Sequence, residues 1–236
     1  MNKYFFIISL LIFSAANIFA QEETFVFKNK SKLYDVKVSV GNCEREGAEK
    51  KICNDQATFQ LLRKNQAQPF QTIEMTETYL QIEGKQKRNG DFVELYGNES
   101  LGVYFIDYNF DGIEDLGVSN GNYLPYGGIS NDVFLYSKAK GQFVKSDELS
   151  KLETENISVN INKKLKIIET QTKSGCCWHE KARYRFVNNR LQKFYVFTED
   201  ATLGDGKWME LVTETLVNGK WRTRTKKVLV KKYYKE

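Results

Sequence analysis

The chain has 236 residues, 41% hydrophobic and 14% aromatic, with two prolines and a formal net charge of +5. That is enough apolar material to bury a real core in one domain, and the mixed charge excludes general disorder. So modest an excess of cations also argues against a nucleic-acid-binding protein.

Residues 1–20, MNKYFFIISLLIFSAANIFA, start with a single lysine, continue as an apolar and small-residue run, and end in Ala20 before Gln21-Glu22-Glu23. A charged start, a short apolar middle and a small residue at the cut are the layout of a secretory signal peptide. A single membrane anchor is the alternative, but the run is short for a bilayer span. No later run could span a membrane. The expected product is periplasmic or secreted, with residues 21–236 as a single β-rich domain.

Export changes the reading of the four cysteines, Cys43, Cys53, Cys176 and Cys177, because thiols pair in oxidising compartments. Cys43 with Cys53 is the favoured bridge, closing the polar, glycine-containing stretch CEREGAEKKIC. Cys176 and Cys177 would then form an adjacent-residue disulfide or stay reduced; the alternative crosses the two pairs. A zinc site does not fit, since His179 is the sole histidine.

The body reads as strands. YDVKVSV (34–40) alternates Tyr34, Val36, Val38 and Val40 with polar residues, which puts one face in a core. The region 43–90 is less regular and reads as part of the domain, as an insertion or as a smaller subdomain. SDELSKLE (146–153) is the plausible short helix, with Ser146 as cap and Asp147 and Glu148 at the positive end of the dipole. ISVNI (157–161) alternates again, and Asn188-Asn189 and Asn218-Gly219 separate strand-like runs as hairpin turns do. The expected fold is mainly β, with antiparallel sandwich-like sheets, one or two short helices and a calcium loop.

That loop is IDYNFDGIEDLGV, residues 106–118. Asp107, Asn109, Asp111 and Asp115 occupy positions 1, 3, 5 and 9 of a calcium loop, with Gly112 at the sharp turn and the carbonyl of Ile113 at position 7. Hard oxygens at this spacing suit a structural Ca²⁺ better than a soft metal. Val118 stands where a helix-loop-helix hand has a bidentate glutamate, which predicts affinity of about 10⁻⁴ to 10⁻³ M. The alternative is a polar turn whose acids are satisfied by backbone amides. The motif resembles the D-x-[DN]-x-D-G-x-x-D loops of integrin-type propeller repeats, although it occurs once here.

In TKSGCCWHEKARYRF (172–186), a loop between strand-like runs would display Ser174, Gly175, both cysteines, Trp178 and His179. A Cys-His nucleophile would need an orienting acid, and none stands at a diagnostic spacing. No paired carboxylates, Ser-His-Asp order or phosphate loop can be singled out, so catalytic residues are not assigned and an enzyme is not expected. The tail from Lys220 onward alternates cations in KWRTRTKK, which reads as an edge strand whose charges discourage pairing, or as a contact for an acidic partner.

Together, the single DYNFDGIEDL loop, the NDVFLYSKAKGQFVKSDELSKL hairpin, the Ser-Gly loop and the YRFVNNRLQ hairpin resemble a known family. They are similar to periplasmic immunity proteins that neutralise lysozyme-like effectors of bacterial type IV secretion systems, a family itself similar to the periplasmic inhibitors of invertebrate-type lysozyme. The resemblance covers residues 100–198. It implies a β-rich inhibitor fold, a bound calcium ion and a protein partner that cleaves peptidoglycan. It also implies that Ser174 and Gly175 enter the partner's cleft, with Trp178 or Tyr184 nearby. Cys176-Cys177 directly after the glycine departs from the pattern. The reading from another class is a structural or adhesive envelope module with a structural calcium and no inhibitory activity.

Overall fold

Period-two patterning dominates the chain, and strands dominate the structure. A computed structural model describes residues 22–47, 50–97, 99–123, 128–202 and 206–234, without the side chains of residues 122 and 123. The expected signal segment, 1–20, lies outside the described residues.

The first part of the chain forms β1 (Glu23–Phe27), β2 (Tyr34–Val40), β3 (Cys43–Glu46), β4 (Lys50–Cys53), β5 (Ala57–Arg63), β6 (Pro69–Met75), β7 (Leu80–Ile82), β8 (Gln86–Asn89) and β9 (Phe92–Leu95). Six of these make a sheet in the order β6-β5-β2-β1-β9-β8, and β3, β4 and β7 make a small second one. Pairing is antiparallel except between β1 and β9, which run parallel. Residues 43–90 thus supply strands to both sheets, and β5 lies directly against β2. Cys43 and Cys53 are opposite one another in the β3–β4 hairpin and are bridged.

The middle of the chain forms a four-stranded sheet from β10 (Val103–Ile106), β11 (Asp115–Tyr123), β12 (Ile129–Ser137) and β13 (Gln142–Lys145), followed by α1 (Asp147–Glu155). Ser146 takes the extended backbone of an N-cap, but its hydroxyl makes no capping bond. Asp147 and Glu148 lie in the first turn, where the dipole favours them.

The last part is a meander of β14 (Ser158–Asn162), β15 (Ile167–Ser174), β16 (Trp178–Val187), β17 (Arg190–Asp200), β18 (Trp208–Val217) and β19 (Lys220–Leu229), ending in α2 (Val230–Tyr234). Its Asn-Asn and Asn-Gly turns take the positive φ that hairpins need, at 50° and 60° for Asn188 and Asn189 and 50° and 75° for Asn218 and Gly219.

The sheets stack in layers, and β12 shows how. In its run Val133-Phe134-Leu135-Tyr136, Phe134 and Tyr136 join one core with Phe25, Phe27, Val36, Phe59 and Leu61 of the first sheet. Val133 and Leu135 join another with Leu149 and Leu152 of α1 and Ile168 of β15. A strand buried on both faces needs a continuous apolar run rather than an alternating one. The middle sheet is therefore the filling of a sandwich, with the first sheet on one side and α1 and the meander on the other.

Candidate functional site

The connection from β10 to β11 carries the acidic loop, whose geometry follows from short polar side chains folding back on their own backbone. Asp107 accepts hydrogen bonds from the amides of Asp111 at 3.1 Å and Gly112 at 3.0 Å. Asn109 accepts from the Asp111 amide at 3.0 Å, and Asp111 accepts from the Ile113 amide at 2.9 Å. Gly112 has a φ of +86° with open space where a Cβ would stand, so the glycine answers to backbone torsion and not to crowding.

Asp115 behaves differently. Fully buried, it accepts from the Tyr108 amide and, across the sheet, from the Tyr136 amide, both at 2.9 Å. Burial, reinforced by the charges of Asp111 and Asp107 and opposed by these two amides, pushes its pKa up to about 7. Its two oxygens tie the start of β11 to the loop that follows β10 and to β12.

The same loop reaches the other layers. Glu114 accepts a 2.5 Å hydrogen bond from Ser31 in the β1–β2 connection. Phe110, held at a φ of +62°, packs edge-on against Phe186 of β16 with ring centroids 6.5 Å apart. Tyr108, at 2% exposure, belongs to the core between α1 and the meander, where burial holds its hydroxyl well above the usual tyrosine range. The loop is a junction of all three layers. Glu114 and Phe110 have no signature in a ligand pattern, and only the spacing of apolar residues within the acidic stretch hints at them.

Whether these residues suit a calcium ion turns on their unspent oxygens. Carboxylates offer about four lone-pair sites each, and Asp107 and Asp111 use only some of theirs on amides. With the Asn109 oxygen and the Ile113 carbonyl they form a hard-oxygen donor set of the kind calcium takes. Among the described residues no group of three or more His, Cys, Asp or Glu side chains could hold a metal. Two carboxylates, one amide oxygen, one carbonyl and water would have to suffice.

The second candidate region is the tip of the β15–β16 hairpin. Ser174 pairs directly with Trp178, so the connection is only Gly175-Cys176-Cys177. The wider loop expected from the sequence is thereby corrected: Trp178 and His179 belong to β16, because the meander needs their backbone to pair with Glu199 and Asp200. Gly175 takes a φ of +62°, and a methyl group in place of its α-hydrogen would meet nothing within 4 Å. Cys176 and Cys177 are bridged to each other. Ser174, Gly175 and Cys176 are exposed, while Cys177 and Trp178 are half-buried. The Cys177 carbonyl accepts from the Ala201 amide at 2.8 Å, which fastens the turn to the end of β17.

Tyr184 does not join the tip. It lies opposite Ile168, roughly 20 Å from Trp178 at the rise of a strand. There it packs on the core beside α1, with the Lys193 ammonium 5.4 Å from its ring centroid. An aromatic at that alternation position is claimed by the sheet interior. With both thiols of the tip in a disulfide, a Cys176 or Cys177 nucleophile is also absent among the described residues.

No family model matches the chain, and no curated protein matches it. Its fold is similar to a solved structure described as that of a Xanthomonas type IV secretion system related protein, with a TM-score of 0.63 and 21% identity over 88% of this chain and 94% of that chain. Likeness at that identity shows the fold alone. No helix among the described residues is long and apolar enough to cross a membrane.

Proposed function

We propose that the chain is an exported, calcium-stabilised β protein that inhibits a peptidoglycan-cleaving, lysozyme-like enzyme, as an immunity or inhibitor protein does, by inserting the Ser174–Gly175 tip into its cleft. The observation that carries the reading is the tip itself: an exposed serine and glycine at the end of a long hairpin, closed by a disulfide and tied to β17. A loop already rigid loses little entropy on docking. A glycosidase keeps carboxylates in its cleft, and the Ser174 hydroxyl can donate to one of them. Such a plug blocks turnover without any chemistry of its own. The likeness in fold to a type IV secretion system related protein is in keeping with a role beside such a system.

In this reading Asp107, Asn109 and Asp111 hold calcium with the Ile113 carbonyl, while Asp115 anchors the loop from below. The ion, when bound, neutralises the crowded carboxylates and ties the turn. The residues then keep the three layers in register, so that the hairpin is presented from a stiff base.

The test captures partners on the immobilised protein from envelope fractions with calcium present, and assays what is captured for peptidoglycan hydrolysis. The expected result is a muramidase whose activity falls in proportion to added protein, with inhibition weakened by Ser174→Ala or Gly175→Ala. If no hydrolase is inhibited, the inhibitory reading fails and the structural-module reading replaces it.

A further inference from the structure

The edge of the meander carries chemistry that the tip does not use. β19 is the last strand of its sheet, and Lys220 through Lys227 are all exposed. Side chains two apart share a face, so Lys220, Arg222, Arg224 and Lys226 form one row. Their neighbours on β18 offer no charge in return: Arg222 faces Thr215, Arg224 faces Thr213 and Lys226 faces Leu211. The acids of β18 lie on the other face, where Glu210 is opposite Lys227 and Glu214 is opposite Thr223. The row is thus a line of cations with no ion pair among the described residues, beside a strand edge whose outward amides and carbonyls have no partner strand.

Edge lysines commonly serve to repel other strands, and a second copy of β19 would indeed set cations against cations. The other face of the same strand argues that repulsion is not its whole purpose. It exposes Trp221 by 44% and Leu229 by 42%, and an edge built only to resist pairing would not display large apolar groups. A row of cations on one face, and on the other two apolar groups set among threonines and a lysine that faces Glu210, describe the complement of a specific strand. That strand would alternate acids, at the same spacing as the row, with apolar or hydroxyl residues.

We infer that β19 is a docking edge for an extended acidic segment of a partner protein, which adds to the meander as a further strand. Main-chain hydrogen bonds supply attachment, and facing acid–cation pairs set the register. This goes beyond the inhibitory reading and does not rest on it.

The test uses the whole chain and a fluorescent acetylated peptide of about ten residues, matching the strand length, that alternates glutamate with valine and threonine. Anisotropy should show binding that weakens as salt rises, and hydrogen exchange should slow at the amides of 220–229. Arg222→Glu with Arg224→Glu should weaken binding about tenfold or more while the thermal melt stays that of the parent. Lys181→Glu, on the same face of β16, should leave binding nearly unchanged. The same peptide N-methylated at alternate amides should bind at least tenfold more weakly. Equal binding of both peptides, unchanged exchange in β19, or a preference for phosphatidylglycerol vesicles over the peptide would overturn the inference.

Discussion

Two of the glycine-containing turns, those at Gly112 and Gly175, are built to opposite ends. The turn from Asp107 to Asp115 points inward: its acids bond its own amides, Asp115 is fully buried, and Phe110 and Glu114 reach into neighbouring layers. The turn from Ser174 to Trp178 points outward, with Ser174 and Gly175 exposed and a covalent bridge instead of a buried anchor. A loop spent on internal contacts holds the scaffold, while a loop held rigid at the surface can meet a partner.

Mutations can break that contrast, and the largest effect is expected at the buried anchor. Asp115→Ala strands the amides of Tyr108 and Tyr136, which should cost about 3 kcal/mol and lower Tm by about 10 °C, read by calorimetry. Asp111→Ala comes next, and on the calcium reading it acts through the ion. At roughly tenfold excess over Kd, calcium should stabilise the parent by about 1.4 kcal/mol, and the variant should lose that increment. Identical parent melts with and without calcium would remove the ion from the account. Gly175→Ala should cost only about 1 kcal/mol, from its positive φ alone, and on the inhibitory reading it should weaken inhibition far more than that small loss of stability suggests.

The smallest change sharpens the inward side. Glu153 of α1 accepts a 3.0 Å hydrogen bond from Asn131 of β12 and lies close enough to Tyr108 to influence it. Burial raises its pKa above the ordinary carboxylate value, against the opposing pull of Asn131. A carboxyl with a raised folded-state pKa gives stability below its unfolded pKa and loses it as pH climbs through the folded value. Glu153→Gln should therefore make the protein slightly more stable at neutral pH and flatten the decline above the acid range. Urea midpoints across that range measure it, and an unchanged slope would show that Glu153 is not held up.

Much of the scaffold was legible in the residues because local chemistry decides it. Strict alternation marks β2 at its observed bounds, and the Asn-Asn and Asn-Gly turns mark two hairpins of the meander. Cys43 and Cys53 pair as expected because their hairpin sets them opposite each other. The rest depends on contacts that short windows do not contain. Val133 to Tyr136 reads as one apolar run, and only the stacking of layers shows that it serves two cores. In the acidic loop the spacing marks a turn of oxygens but does not separate Asp115, which is buried, from Asp107 and Asp111. At the tip, Trp178 and His179 look like loop residues until β17 is seen to claim their backbone.

The parallel pairing of β1 with β9 has a consequence for how the chain assembles. Each strand of the meander pairs with the one made just before it, so that sheet can zip up by local steps. β1 can pair with β2 just as locally, but its other edge must wait for Phe92 to Leu95, which arrive only after β2 through β8 have been made. Contacts that span long stretches of chain form slowly, since loop closure has to precede them. The meander is expected to close by local steps while the seam between β1 and β9 closes last, so the outer edge of β1 is the one that stays open longest.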